Sequence, residues 1–460
     1  MRKRIVKERA MSSLTSLLSP FVALSAQALP FLKVTRQTGI TITLEKEGKI
    51  KIWEGIFAGK RKPMGPLAGK TIGILAASEF SDFQAYYLTE YLSEFGGNVD
   101  FLLVDWVKWK FSRPNVKTKG VIGQWGLSLD PIPTITPKAR YTWRSLTKAD
   151  PKDYDALIIM GGHSADIMTT EDKVIDFVKS AHSKGAVVGG IGGGDIPLIT
   201  SGILQGKRVT GNKVVSFMLE KIGTFIDLSV VRDGKVVTAR DTVDTPAFVR
   251  ELCTAFDPTF VPERKDILKG KRIVIIAGED FEDVELCVPA MEFIYRGARV
   301  TLAPFPPPMR ARPPMLGVDV VMGNFGISVP FQEIPEGDYY NVVPLCKLSP
   351  EDFDLIMIPG AFCPWNCVVA GMPVKFLKKT YDAGKIVAGI CHGSIPVSAA
   401  GLVEGKKIAG CLAVKDAVTI MGGIYNWDWS AVIDGRIVTG RVPDDVPEFI
   451  DAMTEALLSK

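Results

Sequence analysis

The strongest constraint on the fold of this chain is an internal repeat with a period of about 200 residues. Four blocks recur in the same order; one of them reads DYDALIIMGG at 153–162 and DFDLIMIPGA at 352–361. Solenoid repeats are only about 20–50 residues long, so a period of this size indicates a duplicated domain. The sequence therefore predicts two related hydrophobic cores in tandem.

Each copy alternates short apolar runs with helical patterns. Runs such as Leu157–Met160 and Leu355–Ile358 are apolar throughout, as expected for strands buried on both faces. Strands that alternate with helices indicate a parallel sheet covered on both sides. We therefore predict two tandem doubly wound, mainly parallel α/β sandwich domains, at 69–255 and 270–460, joined by a linker at 256–269.

The first 68 residues form an extension outside the repeat. We expect a helix near its start and a β-hairpin between 40 and 58, where ThrIleThrIleThrLeu and LysIleLysIleTrp alternate in polarity. This extension is interpreted as an assembly element, so the chain is expected to form a homo-oligomer. A signal peptide over 1–28, and hence export, is the alternative. No apolar run reaches 18 residues, so no membrane span is expected.

Charge and cysteine usage exclude several classes of protein. The net charge is +4 with acids and bases interspersed, which argues against a nucleic-acid surface. Seven cysteines all follow residue 252, and an odd number confined to one half does not indicate disulfides. A reducing, cytoplasmic location is therefore expected. Cys363 and Cys367 resemble a metal pair, but no second pair exists; neither a metal nor a cofactor is predicted.

The segment IVAGICHG at 386–393 predicts a nucleophile at Cys391. A buried strand runs directly into Cys391 and a helix begins near Gly393, which is the strand-to-helix elbow that exposes a nucleophile above a sheet. The positive end of the helix dipole favours the reactive thiolate.

The first copy has lost this chemistry. Gly192 aligns with Cys391 and Gly193 with His392, although the surrounding apolar pattern is preserved. At the loop after the first strand, Ser81 aligns with Glu282. Because three reactive side chains disappear together, we interpret Cys391, His392 and Glu282 as one chemical site and the first copy as its degenerate partner, packed against the second in an intramolecular pseudo-dimer.

These motifs resemble the ThiJ/PfpI superfamily, whose members have a class I glutamine amidotransferase-like, flavodoxin-like fold. The resemblance rests on FEDVEL at 281–286, IPGA at 358–361, GICHG at 389–393 and GRVPDDVPEF at 440–449. It implies that Cys391 is the nucleophile, that Glu282 hydrogen-bonds its sulfur, and that His392 is the adjacent histidine. It also implies an oxyanion hole formed by the backbone amides of Ala361 and His392.

The sequence departs from the family at two positions. Ala361 replaces a second glycine, and Trp365 stands where some members supply an acid that orients the histidine. The resemblance therefore does not extend to a full Cys-His-acid triad, and Asp283 and Glu285 are nearby acids without an assigned role.

The leading hypothesis is a cofactor-independent enzyme in which Cys391 adds to a reactive carbonyl, converting a 2-oxoaldehyde to a 2-hydroxy acid or removing glycation. A cysteine peptidase or amidase acting on peptides is one alternative. A redox-sensing stress protein or chaperone without turnover is another.

Overall fold

The computed structural model describes residues 40–45, 49–54, 65–107, 120–129, 141–262, 265–308, 319–337 and 339–459. It contains two α/β units, one for each copy of the repeat, as the sequence predicts. The strands are β1 (Ile40–Glu45), β2 (Lys49–Glu54), β3 (Thr71–Ala76), β4 (Asn98–Leu103), β5 (Tyr141–Ser145), β6 (Ala156–Ile159), β7 (Val187–Ile191), β8 (Arg208–Val209), β9 (Thr224–Phe225), β10 (Val230–Asp233), β11 (Val236–Ala239), β12 (Arg272–Ala277), β13 (Arg299–Pro304), β14 (Val320–Met322), β15 (Ser328–Pro330), β16 (Tyr340–Val342), β17 (Leu355–Ile358), β18 (Ile386–Ile390), β19 (Lys407–Ile408), β20 (Ile424–Tyr425), β21 (Trp429–Asp434) and β22 (Ile437–Gly440).

The α-helices cover both faces of the sheets. In chain order they are α1 (Asp82–Glu94), α2 (Ser164–Thr169), α3 (Asp172–Ser183), α4 (Asp195–Thr200), α5 (Ser216–Ile222), α6 (Thr245–Phe256), α7 (Asp283–Tyr295), α8 (Cys363–Ala370), α9 (Met372–Asp382), α10 (Ser394–Ala399), α11 (Lys415–Ile420) and α12 (Val446–Leu458).

The main sheets of the two copies have the same topology. Within the described residues, the first has the order β10-β11-β7-β6-β3-β4-β5 and the second β1-β2-β21-β22-β18-β17-β12-β13-β16. The central strands are parallel, and only the pairs at one edge are antiparallel. In the second copy β12 and β17 are neighbours, and the strands that follow them in the chain, β13 and β18, lie on opposite sides of this pair. The direction in which strands are added therefore reverses between β12 and β17. Open α/β sheets bind ligands at such a reversal.

The N-terminal hairpin extends the sheet of the second copy. β1 and β2 pair antiparallel, and β2 then pairs antiparallel with β21. Ile52 on β2 is buried together with Trp429, Ala409 and Val432. The hairpin expected between 40 and 58 is thus present. The helix expected earlier and the possible signal peptide over 1–28 lie outside the described residues, and the assembly role of the extension stays a prediction.

The two copies pack through a buried ionic network between α6, α7 and α12. The Glu292 carboxylate accepts a hydrogen bond from Arg250 of the first copy (2.6 Å) and one from Arg296 (2.9 Å). Tyr87 donates to the second oxygen of Glu292 at 2.5 Å, and Arg296 also pairs with Asp451 at 2.9 Å. Burial opposes ionisation of Glu292, but the two guanidinium groups outweigh it and hold its pKa below the usual value.

The long segments at 104–150 and 304–350 contribute to the contact between the copies. In their described parts, the backbone of Gly326 packs directly against the carbonyl oxygen of Trp125. A side chain at Gly326 would overlap that oxygen, and φ of Gly326 is +112°. Tyr339 donates to Asp241 of the first copy at 2.9 Å. Of the two roles that such long segments usually have, lid or interface, these contacts fit an interface.

In the described part of the chain, no helix combines the length and the apolar character that crossing a membrane requires.

We predict that Glu292→Ala lowers the free energy of unfolding by about 3–5 kcal/mol, because it leaves two buried guanidinium groups without their shared anion. Denaturant unfolding measures this. Asp382→Asn removes one partner of the exposed Lys378–Asp382 pair and is the control, with an expected change below about 0.5 kcal/mol.

The same network predicts a pH dependence. Because the folded-state pKa of Glu292 is depressed, its stabilisation is present above the unfolded-state pKa and is lost as the pH falls through the folded-state pKa. Unfolding at a series of pH values between about 7 and 3 should therefore give a steeper loss of stability for the wild type than for Glu292→Gln. Identical slopes would contradict an ionised Glu292.

Candidate active site

Cys391 occupies a strained turn between β18 and α10. Its φ is +57°, a value that few residues other than glycine adopt. A Cβ at Gly389 would lie 2.5 Å from the carbonyl oxygen of Gly393, and one at Gly393 would lie 2.4 Å from that of Ile358. Glycine is therefore required on both sides, and the sequence folds into the predicted elbow. The residue as a whole is partly exposed, but its thiol is largely buried.

Two groups lie beside the thiol on the α10 side. The Nδ1 atom of His392 is 3.4 Å from the Cys391 sulfur and 3.6 Å from the sulfur of Cys411. Cys411 follows β19, on a loop held by Tyr425, whose hydroxyl donates to the carbonyls of Gly410 and Cys411 at 3.2 Å each. The structure thus adds a second cysteine that sequence reasoning missed.

The two sulfurs titrate as one pair. Their mutual hydrogen bond lowers the pKa of Cys411 to about 5, and His392 contributes in the same direction. The same hydrogen bond, reinforced by burial, raises the pKa of Cys391. These opposite shifts favour the thiolate form at Cys411 and the thiol form at Cys391.

The acid beside the thiol is Glu285. Its Oε2 accepts a hydrogen bond from the Gly360 amide at 2.5 Å. A Cβ at Gly360 would lie 2.7 Å from that Oε2 and 3.1 Å from the Cys391 sulfur, so both groups contact the same glycine. Burial, and then the charge of Glu282, raises the pKa of Glu285 well above its usual value. Its Oε1 has no hydrogen-bond partner among the described residues. Both its burial and the unpartnered Oε1 favour the protonated form of Glu285, which can donate a proton.

Glu282, which the sequence assigned to the sulfur, takes a different position. It is the N-cap residue of α7, and it hydrogen-bonds the Asn324 side chain and the Val284 amide. Burial and the neighbouring Asp283 raise its pKa to about 8. The carboxyl that shares Gly360 with Cys391 is that of Glu285, three residues further along the helix, and the role of Glu282 at the sulfur stays a prediction. The Asp283 carboxylate accepts hydrogen bonds from the backbone amides of Phe325 and Ile327 and so anchors their loop.

The first copy keeps the backbone of the site without its reactive groups. Gly192 has a φ of +60°, close to that of Cys391, and a Cβ there would have no neighbour nearer than 3.9 Å. Packing would therefore admit a cysteine. Gly193 and Ser81 replace His392 and Glu282, as predicted. In addition, Gln84 replaces Glu285 and accepts from the Gly161 amide at 2.8 Å, and Asn212 replaces Cys411.

The remaining predicted features have simpler contacts. Ala361 has a φ of +56°, and its counterpart Gly162 has one of +80°, so the family's usual glycine is replaced without loss of the turn. The His392 amide hydrogen-bonds the Cys391 sulfur; the oxyanion-hole role of both amides stays a prediction. Cys363 and Cys367 are buried in α8, which agrees with their interpretation as packing residues.

Comparison with known proteins matches both copies to one family. The model of the DJ-1/PfpI family matches residues 70–255 and 271–456. Protein DJ-1 homolog D of Arabidopsis thaliana is 25% identical over 67% of this chain and 79% of its own length. A deglycase of Pyrococcus abyssi is 29% identical over 38% of this chain and 92% of its own length. The structure of Drosophila melanogaster DJ-1beta aligns with 41% of this chain and 91% of its own, at 21% identity and a TM-score of 0.33.

The contact at Gly360 gives a test of the site geometry. In Gly360→Ala the added methyl group would lie 2.7 Å from both the Cys391 Cβ and the Glu285 carboxylate, so we expect a loss of stability of about 1–3 kcal/mol and slower alkylation of Cys391. Thermal unfolding and mass-spectrometric alkylation rates measure the two effects.

The control for this substitution is Gly193→Ala, whose added Cβ would be 3.6 Å from its nearest neighbour, an ordinary contact. It should be close to neutral. Equal effects of the two substitutions would mean that the thiol and the acid are not packed together at Gly360.

Proposed function

Because the chain belongs to the DJ-1/PfpI family through both copies and only the second has a cysteine at the elbow, we propose that it is a cofactor-independent enzyme acting on reactive carbonyls at Cys391. The substrate class is small 2-oxoaldehydes, such as methylglyoxal, or their early adducts with amines. The observation that carries the proposal is the buried Glu285 carboxyl that shares Gly360 with the thiol. The deglycase names of relatives support the same class of substrate.

The first step forms a covalent adduct. Cys391 passes its proton to the Cys411 sulfur and attacks the aldehyde carbon, the carbonyl electron pair moves to oxygen, and Glu285 supplies the proton, which gives a hemithioacetal. A buried acid suits this step because it is protonated at neutral pH. It also does not repel the approaching anion, as an ionised carboxylate would.

The later steps move protons and then add water. Glu285, now ionised, and His392 remove the proton from the former aldehyde carbon, and the C–H electron pair forms an enediol with the neighbouring carbonyl, whose oxygen is protonated. A proton returned to the neighbouring carbon and loss of the hydroxyl proton from the first carbon then give the thioester of a 2-hydroxy acid. Water then cleaves the C–S bond, releasing the acid and restoring the thiol. The net change is the addition of one water molecule without net oxidation.

The contacts of His392 favour this chemistry over a peptidase. In the described part of the chain its Nδ1 atom faces two sulfurs, and Trp365 follows the loop proline. A peptidase needs a histidine that an acid orients toward the leaving amine. Carbonyl addition needs only the acid that Glu285 provides.

Methylglyoxal turnover tests the proposal. We expect Cys391→Ala to lower kcat/KM by about a thousandfold or more, whereas Cys346→Ser, at an exposed cysteine, should change it little. Lactate formation is the measurement, and release of free amine from glycated substrates is a second one. Equal rates for wild type and Cys391→Ala would refute the enzyme. Inertness of the wild type toward these substrates, with ready oxidation of Cys391 to the sulfinic acid, would favour the redox-sensor hypothesis.

A second experiment separates the two glutamates. Glu285→Gln keeps the size of the side chain and copies the residue of the inactive copy, but it removes the acidic proton, so kcat should fall by roughly 10²–10⁴. Glu282→Gln should cost less than about tenfold, because this side chain hydrogen-bonds Asn324 and amide–amide pairing preserves that contact. A larger loss of kcat in Glu282→Gln than in Glu285→Gln would instead identify Glu282 as the partner of the thiol.

A further inference from the structure

Three donor atoms of the second copy lie at the spacing of a metal site. The Cys391 sulfur, the His392 Nδ1 and the Cys411 sulfur are all within 4.8 Å of one another, and the two sulfur–nitrogen distances are 3.4 and 3.6 Å. In a tetrahedral zinc site, bonds of about 2.3 Å to sulfur and 2.0–2.1 Å to nitrogen place S and N about 3.6 Å apart. The donors therefore already stand close to the distances that such a cation imposes.

The donor set selects one class of cation. Two thiolates and an imidazole favour zinc and other soft or borderline ions, whereas magnesium and calcium prefer oxygen ligands. Three protein ligands leave one coordination position open, as in sites that retain water or substrate. His392 is the partly exposed member of the three and gives a cation access from solvent.

The scaffold holds the donors in place. The elbow fixes Cys391, and Ser394 donates to the Ala409 carbonyl at 2.8 Å while the Ala409 amide donates to Thr439 at 2.8 Å. These last two bonds position the loop that carries Cys411. Little reorganisation is therefore needed to bring the three atoms around one ion.

The first copy indicates that the fold does not require these donors. It keeps the loop anchor, in which the Thr210 amide donates to Thr238 at 2.9 Å, but it has Gly192, Gly193 and Asn212 in place of the three donors. The donors were lost as a group while the backbone stayed the same. A shared chemical task explains this pattern better than packing does.

We propose that Cys391, His392 and Cys411 bind one zinc ion, and that zinc and a carbonyl substrate exclude each other at Cys391. Binding displaces the thiol protons and forms two Zn–S bonds and one Zn–N bond. The sulfur lone pair that would attack a carbonyl is then held by the metal. The second half of this proposal rests on the proposed function, whereas the first half does not.

Zinc titration of the full-length chain, stripped with a chelator and kept reduced, tests the site in competition with a chromophoric chelator. We expect one zinc per chain, bound roughly a hundredfold or more tightly by the wild type than by Cys411→Asn. Asparagine is the residue of the first copy at this position, so the variant should fold, and circular dichroism checks this. Cobalt should give a sulfur-to-metal charge-transfer band in the wild type only.

Two control variants locate the ion. Cys346→Ser should leave the affinity within about twofold, and so should Cys363→Ser in the buried pair of α8. Retention of wild-type affinity by Cys411→Asn, or loss of zinc in Cys363→Ser alone, would overturn the proposal.

Turnover measured with and without zinc separates the two proposals. Inhibition of the stripped wild type by one equivalent of zinc, reversed by chelator, is the expected result. A chain that binds zinc at these three residues but is inert toward methylglyoxal would refute the proposed function and leave the metal site standing. A chain that turns over methylglyoxal and binds no zinc would refute the inference alone.

Discussion

The arrangement of the molecule depends on one buried carboxylate, Glu292, which the two copies share. It is ionised inside the protein because Arg250 from one copy and Arg296 from the other both contact it. The network is not symmetric: the counterparts of Glu292 and Arg250 across the repeat are Tyr91 and Asp451. If two second copies paired in this way, Asp451 would take the place of Arg250 and face Glu292. Like charges would then meet, so the network favours pairing within the chain.

Once the first copy serves as a partner, its own site can decay without harm to the fold. The backbone of the elbow is the same in both copies, with φ near +60° at Gly192 and Cys391. Glycine adopts this conformation without strain, whereas a cysteine there costs on the order of 1–3 kcal/mol. The second copy keeps the strained residue, and the first has relaxed to the residue that the backbone prefers. The backbone turn at the elbow is therefore a property of the fold, whereas the reactive side chains on it are not needed for folding.

The sequence predicts those features that repeat or alternate. The duplication, the buried parallel strands, the hairpin and the elbow follow from patterns that local physics determines. The choice between Glu282 and Glu285 does not, because both lie at the start of α7, three residues apart, and helical neighbours at that spacing share a face. Which of the two lies beside Cys391 depends on where the loop that carries Gly360 packs, and this is determined by tertiary structure. The change of Glu285 to Gln84 was a usable signal, but it preserves shape and is less conspicuous than the loss of Glu282 to Ser81. Cys411 lies 20 residues beyond Cys391 on a loop whose course no periodicity reveals; only its replacement by Asn212 pointed to it.

The two proposed roles of Cys391, carbonyl addition and zinc binding, depend on neighbouring groups on different sides of its sulfur. Toward Gly360 it has the buried Glu285 carboxyl, whose protonated form is favoured by burial and can protonate an oxygen as it becomes an alkoxide. Toward α10 it has the Cys411 sulfur and the His392 imidazole. These two groups can hydrogen-bond a thiolate, or bind a metal ion together with the Cys391 sulfur. A carbonyl carbon and a metal ion both require the same lone pair, so they cannot be bound together. Since the first copy lacks both sides at once, the thiol and its two sets of neighbours act as one unit, and a change to either set alters what the sulfur can bind.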